Sequence, residues 1–131
     1  MIIAVNGTLM RGLGLNKNLL AINAEFIRED RTAPCYRMWT IDDNYPAMQK
    51  DENSGESLYL ELWEIDTDGL MKILEQEPPG LSLGKITLAD GSEEFGVLGE
   101  AVTCLNKTEI TSFGGWRNYI KNKKEVGYVT K

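Results

Sequence analysis

Residues 57–65 carry the pattern that most restricts how this chain can fold. Leu58, Leu60 and Leu62 alternate with Tyr59, Glu61 and Trp63, a period of two that predicts a strand with a leucine face and an aromatic-acidic face. The strand runs straight into Asp66-Thr67-Asp68, residues suited to capping a helix start. Leu70, Ile73, Leu74 and Glu77 then follow at i, i+3, i+4 and i+7, one face of a helix. Pro78-Pro79-Gly80 ends it, because proline cannot continue the hydrogen-bond ladder.

The rest of the chain is organised around this strand and helix. Ile2–Val5 predicts a short first strand that stops at the turn signal Asn6-Gly7. Asn16 is placed to cap a short helix over 17–22, with Leu19, Leu20 and Ile22 on its apolar side. Residues 24–28 and 35–41 read as strands, 42–46 as a loop and 51–55 as a polar turn. Asp90-Gly91 between 85–89 and 95–102 is a hairpin signal. Gly114-Gly115 precedes a C-terminal helix that docks through Trp116, Tyr119 and Ile120, with a polar, loose tail over 121–131. Strands outnumber helices without alternating regularly with them, so the expected class is α+β with a strongly curved or closed sheet.

Length and composition narrow the function. A chain of 131 residues with 42% apolar and 26% charged side chains predicts one globular domain over 1–131, and no linker or repeat divides it. The net charge of −6 argues against nucleic acid and against anionic membrane surfaces as partners, since both require a basic face. No apolar run approaches a bilayer span, and the opening apolar stretch is too short for an export signal, which predicts a cytoplasmic protein. Two cysteines, Cys35 and Cys104, lack metal-ligand spacing, and there is no histidine. Ser-His and Cys-His nucleophile systems and histidine-ligated metals are therefore excluded. Any chemistry falls to carboxylates, hydroxyls and backbone dipoles.

Glu77 is the first candidate. It extends an apolar helix face at the C-terminal end, where burial and the helix dipole both disfavour its charge and raise the carboxyl into the range useful for acid/base work. The competing placement is out of register toward water, because Pro78 biases its predecessor away from the helical conformation. Glu61 and Glu100 are the other carboxylates that a closed sheet would bury, with a solvated strand face and a structural hydrogen bond as their respective alternatives. Val5–Gly12 is a strand running into a glycine-containing loop, where successive N–H groups can converge on a carboxylate or oxyanion, with Thr8 adding a hydroxyl and Arg11 a charge. Arg37 and Arg117 each follow an aromatic residue, and either could fork onto a substrate carboxylate or serve in a surface ion pair.

Two stretches resemble the C-terminal domain of allophanate hydrolases. One is the opening loop with Gly7, Leu9, Gly12, Leu15 and Asn16. The other is the close of the chain, with Ile110, Thr111, Phe113, Gly114, Gly115, Trp116, Arg117 and Tyr119. Between them lie a Tyr36-Arg37 strand, Glu61-Leu62-Trp63 and Pro78, Leu81 and Gly84. The resemblance implies a γ-glutamylcyclotransferase-like fold, a small mixed β-barrel with packed helices. It is similar also to the cyclotransferase branch of that superfamily, where a Y-G-T/S-L/N loop holds the substrate and a glutamate follows a helix. Asn6, Gly7, Thr8 and Leu9 correspond to that loop, with Asn6 where tyrosine is usual, and Glu77 corresponds to the glutamate. The implied protein acts on or binds a small carboxylate-bearing substrate through Asn6, Gly7, Thr8, Leu9 and Arg37, with Glu77 as catalytic acid/base and neither metal nor organic cofactor. The alternative is a non-catalytic accessory or dimerisation module for an amidase partner. Trp116 and Tyr119 on the last helix would also suit a homodimer. Two departures stand out: the amidase Ser-Ser-Lys machinery is not in this sequence, and Thr8 stands where the hydrolase family often has histidine.

Overall fold

The computed structural model describes residues 1–129, with side chains through Lys124. In chain order the elements are β1 (Ile2–Val5), α1 (Asn16–Ala21), β2 (Glu25–Arg31), β3 (Tyr36–Ile41), β4 (Tyr45–Lys50) and β5 (Tyr59–Glu64). There follow α2 (Thr67–Gln76), β6 (Leu81–Thr87), β7 (Glu93–Gly99), α3 (Ala101–Cys104), β8 (Thr108–Glu109), a 3-10 turn (Thr111–Phe113) and α4 (Trp116–Val129).

The strands form two sheets, a five-stranded one ordered β2-β5-β1-β7-β6 and a three-stranded one ordered β4-β3-β8. β1 lies at the centre of the larger sheet, antiparallel to β5 and parallel to β7. Its Ile3, Ala4 and Val5 are all buried, which is why its sequence is a continuous apolar run rather than an alternation. β5 is covered on both faces as well. Leu60, Glu61, Leu62 and Trp63 are each at most 2% exposed, so the leucine face and the aromatic-acidic face both meet protein. α2 begins at Asp66, whose side chain accepts from Gly69 N–H at 2.6 Å, the cap expected from the sequence. It buries Leu70 and Ile73.

The class is α+β, but among the described residues the strands do not close into a barrel. The outer strands β2 and β6 approach only through an isolated bridge, Thr32 to Leu88, so the sheet bends without a continuous seam. The two sheets meet where β7 presses on β4. Gln49 Nε2 donates to Gly99 O at 3.3 Å, and a Cβ on Gly99 would lie 2.6 Å from Ala47 Cβ.

Four local expectations change. Residues 42–46 are not a loop throughout. Asp42 and Asp43 turn with φ of 54° and 62°, and Tyr45 already starts β4. The second strand of the Asp90-Gly91 hairpin stops at Gly99, and the chain turns into α3 because Glu100 takes an extended, cap-like conformation. Asn16 is inside α1 rather than capping it. Residues 121–129 continue α4 rather than forming a loose tail, while Thr130 and Lys131 lie outside the described residues. No described helix is long and apolar enough to cross a membrane.

Gly55 makes the tightest backbone approach. A Cβ there would sit 2.3 Å from Cys35 C and from Tyr36 N, against backbone that cannot yield. Gly55→Ala is expected to cost about 3 kcal/mol or more in urea denaturation. Gly91→Ala, whose methyl would meet nothing within 4 Å despite φ of +89°, costs about 1 kcal/mol.

Candidate functional site

The segment after β1 is tied down by its carbonyls. Gly7 O accepts Met10 N–H at 3.1 Å and Thr8 O accepts Leu15 N–H at 3.0 Å. Leu9 O accepts Asn16 Nδ2 at 2.8 Å, which is the use the fold makes of Asn16. The amide N–H groups of Gly7, Thr8 and Leu9 have no acceptor among the described residues. Three successive amides without an acceptor are a row of donors of the kind that can take a carboxylate or oxyanion. Glycine is required at position 7 for space, since a Cβ would lie 2.7 Å from Pro46 Cδ.

Asn6 to Leu9 line a recess completed by Ala4 and Val5 of β1, Tyr45 and Pro46 of β4, Glu77, Leu81 and Val97. Its volume is about 40 Å³, room for a few waters or the acid end of a small ligand. Glu77 reaches it by leaving the helix. Its backbone is extended (φ −72°, ψ 141°) as the residue before Pro78 must be, and its N–H bonds back to Leu74 O at 3.2 Å. Leaving the register does not carry the side chain into open water. Glu77 is half-buried, no described donor reaches its carboxylate, and burial raises its carboxyl above the ordinary glutamate range.

Glu61 is the opposite case. It is fully buried and accepts from Arg11 N–H (2.9 Å), Arg11 Nε (3.1 Å), Trp63 Nε1 (3.2 Å), Tyr59 OH (3.3 Å) and an Arg117 guanidinium nitrogen (3.0 Å). Burial alone would raise its carboxyl. The hydrogen bonds from Arg11 N–H, the Trp63 indole and the Arg11 guanidinium outweigh that, and the net direction is down. Glu61 is held ionised, which suits an anchor and not a proton carrier. The solvated strand face considered for it is replaced by complete enclosure.

Glu100 and Arg37 are not brought to the recess. Glu100 is exposed at the start of α3, its N–H donating to Gly80 O at 2.8 Å. Arg37 is bonded to Glu109 at 2.6 Å and Asp51 at 3.2 Å, and lies 4.8 Å from the Trp39 ring centre. Arg117 serves Glu61 and the Arg11 carbonyl. Both arginines neutralise the protein's own carboxylates. The residues that pattern reading missed are Tyr45 and Pro46, hidden by a turn of Asp and Asn before them and by a proline that reads as a breaker. The apolar run Pro46-Ala47-Met48 is the signal that could have revealed the strand. Among the described residues no three acidic or cysteine side chains cluster to hold a metal ion.

The model of the allophanate hydrolase C-terminal domain matches residues 1–121. The chain belongs to that family. It is 45% identical to a protein specific to uropathogenic E. coli whose crystal structure superposes with a TM-score of 0.89 over 92% of this chain and 94% of that one. It is 24% identical over 135 residues to the urea amidolyase of Lachancea kluyveri. That match takes in 94% of this chain and 7% of the enzyme, so this family member spans a small fraction of the curated relatives it matches. An AIG2-like protein of Mus musculus, 19% identical over 78% of this chain and 77% of its own, shares the fold with a TM-score of 0.59. That likeness is one of fold.

The two glutamates make opposite predictions. Truncating the anchor, Glu61→Ala, strands two guanidinium groups and a buried indole N–H, and is expected to cost about 3 kcal/mol or more by urea denaturation. Glu77 binds its proton more tightly folded than unfolded, so its charge destabilises the fold. Stability falls as pH rises from the ordinary carboxyl value, about 4.3, through the raised folded value. Glu77→Gln should melt about 2–4 °C above the parent protein at neutral pH, and calorimetry should show the gap closing toward about pH 4.

Proposed function

We propose that the recess binds the carboxylate of a small γ-glutamyl metabolite and that Glu77 carries the proton in its intramolecular cyclisation. One observation bears most of the weight. Three acceptor-less amides, Gly7 to Leu9, share a recess of about 40 Å³ with a half-buried carboxyl that no described residue hydrogen-bonds. The amides take the substrate carboxylate, supplying fixed dipoles that need not reorganise. The rest of the ligand lies at the mouth beside Tyr45 and Leu81. The neutral α-amine of the γ-glutamyl group then attacks its own γ-carbonyl carbon. A ring C–N bond forms, the original γ-amide C–N bond breaks, and Glu77 takes the proton from the attacking nitrogen and gives it to the leaving amine. The products are 5-oxoproline and a free amine, with no oxidant, metal or organic cofactor required. A carboxyl that burial raises above the ordinary glutamate range suits this exchange, because it takes up a proton more readily than an exposed glutamate does.

A second reading has its own support. The matching segment of the Lachancea enzyme is 7% of a much longer polypeptide. On that reading the domain is an accessory or docking module for an amidase, and the recess holds a carboxylated ligand without turning it over.

Incubation with a panel of γ-glutamyl amines, assayed for 5-oxoproline, separates the two. Cyclotransfer predicts product, with kcat lowered about 10²-fold or more by Glu77→Gln. The accessory reading predicts no product, but a rise in melting temperature with malonate, growing with concentration by mass action. Turnover unchanged in Glu77→Gln would remove Glu77 from the mechanism.

A further inference from the structure

Asn6 sits at the end of β1 and is 9% exposed. Its Nδ2 donates to Val97 O at 3.3 Å and approaches Met48 Sδ at 3.8 Å. A carbonyl oxygen can only accept, so this contact fixes which end of the side-chain amide is nitrogen. Oδ1 is the other end, and no described donor reaches it. Yet every buried side-chain nitrogen or oxygen among the described residues has a partner. Oδ1 must therefore own part of the small surface that Asn6 exposes, and Asn6 lines the recess.

The recess is then divided by polarity. The Gly7, Thr8 and Leu9 amides offer it donors and the Glu77 carboxylate an acceptor, and Asn6 stands beside both with an unengaged amide oxygen. A ligand that is acceptor-only next to its carboxylate would press oxygen against oxygen at Asn6. Resting on the carboxylate-binding reading above, we propose that Asn6 Oδ1 accepts an N–H of the ligand. The recess thereby selects carboxylates with an adjacent amide, ureido or amine N–H over otherwise identical carboxylates lacking it. β7 sets this selectivity through Val97 O, which holds the Asn6 amide in one orientation. Asn6 is a specificity residue on this account, separate from the proton transfer at Glu77.

A matched pair of small acids tests it. 5-Oxoproline carries a ring N–H where 5-oxotetrahydrofuran-2-carboxylate carries a ring oxygen, and the two are otherwise alike in shape and charge. Calorimetric titration of the whole protein should show the lactam binding about tenfold more tightly, the equivalent of ~1.4 kcal/mol. In Asn6→Leu the two affinities should converge. In Asn6→Asp, which keeps an acceptor oxygen on the same stem, the lactam preference should persist even as overall affinity falls. Equal binding of both acids by the unmodified protein overturns this inference and leaves carboxylate binding intact, as does an undiminished preference in Asn6→Leu. Should Asn6→Leu not fold, loss of the preference in a folded Asn6→Asp overturns it in the same way. Binding of neither acid overturns the carboxylate-binding reading and this inference together.

Discussion

A carboxylate without solvent contact, Glu61, joins three parts of the chain that are far apart in sequence. It projects from β5 in the middle of the larger sheet and receives the backbone N–H and guanidinium of Arg11 from the first loop and the guanidinium of Arg117 from α4. Burying that charge would be costly if it were unpaired. Here its neighbours are donors, including Trp63 Nε1 from the same strand. The consequence reaches beyond stability. Holding Arg11 N–H fixes where the preceding loop ends, and the loop's own carbonyls are taken by Met10, Leu15 and Asn16. What remains without an acceptor among the described residues is the row of amides at Gly7, Thr8 and Leu9, residues that line the recess.

The same residue type thus serves two ends through its surroundings. Glu61, ringed by donors, is driven below the ordinary carboxyl range. Glu77, half-buried with no described donor bonded to its carboxylate, is driven above it. The contrast between an anchor that stays charged and a carboxyl whose charge is penalised is the electrostatic plan of the molecule.

What was legible in the sequence was local. β1, β5, the Asp66-capped α2 and the strands flanking Asp90-Gly91 follow from periodicity and turn chemistry, which neighbouring residues determine among themselves. β4 was not legible, because Asp42-Asp43-Asn44 and Pro46 read as loop while the pairing that makes the segment a strand comes from β3. Closure of the sheet was not legible either, since it depends on how far β2 and β6 bend toward each other, and they meet at one bridge only. Glu77 illustrates both sides. The sequence left it between an inward place in the helical register and a place out of register toward water; its backbone before Pro78 is extended, and the residue lines the recess from outside the helix. The fate of Arg37 depends on Glu109, 72 residues away, and the enclosure of Glu61 depends on β2, the first loop and α4 together. Neither is written in the spacing of its neighbours.

On this account Glu77 and the acceptor-less amides of Gly7 to Leu9 share one recess. Nuclear magnetic resonance of protein labelled with carbon-13 at glutamate carboxyls and nitrogen-15 at amides tests it directly, by following the Glu77 carboxyl through a pH titration with and without saturating 5-oxoproline. The account predicts a Glu77 midpoint above that of a solvent-exposed glutamate, and ligand-dependent shifts concentrated at the Gly7, Thr8 and Leu9 amides. An ordinary Glu77 midpoint, with those three amides unmoved by the ligand, would contradict it.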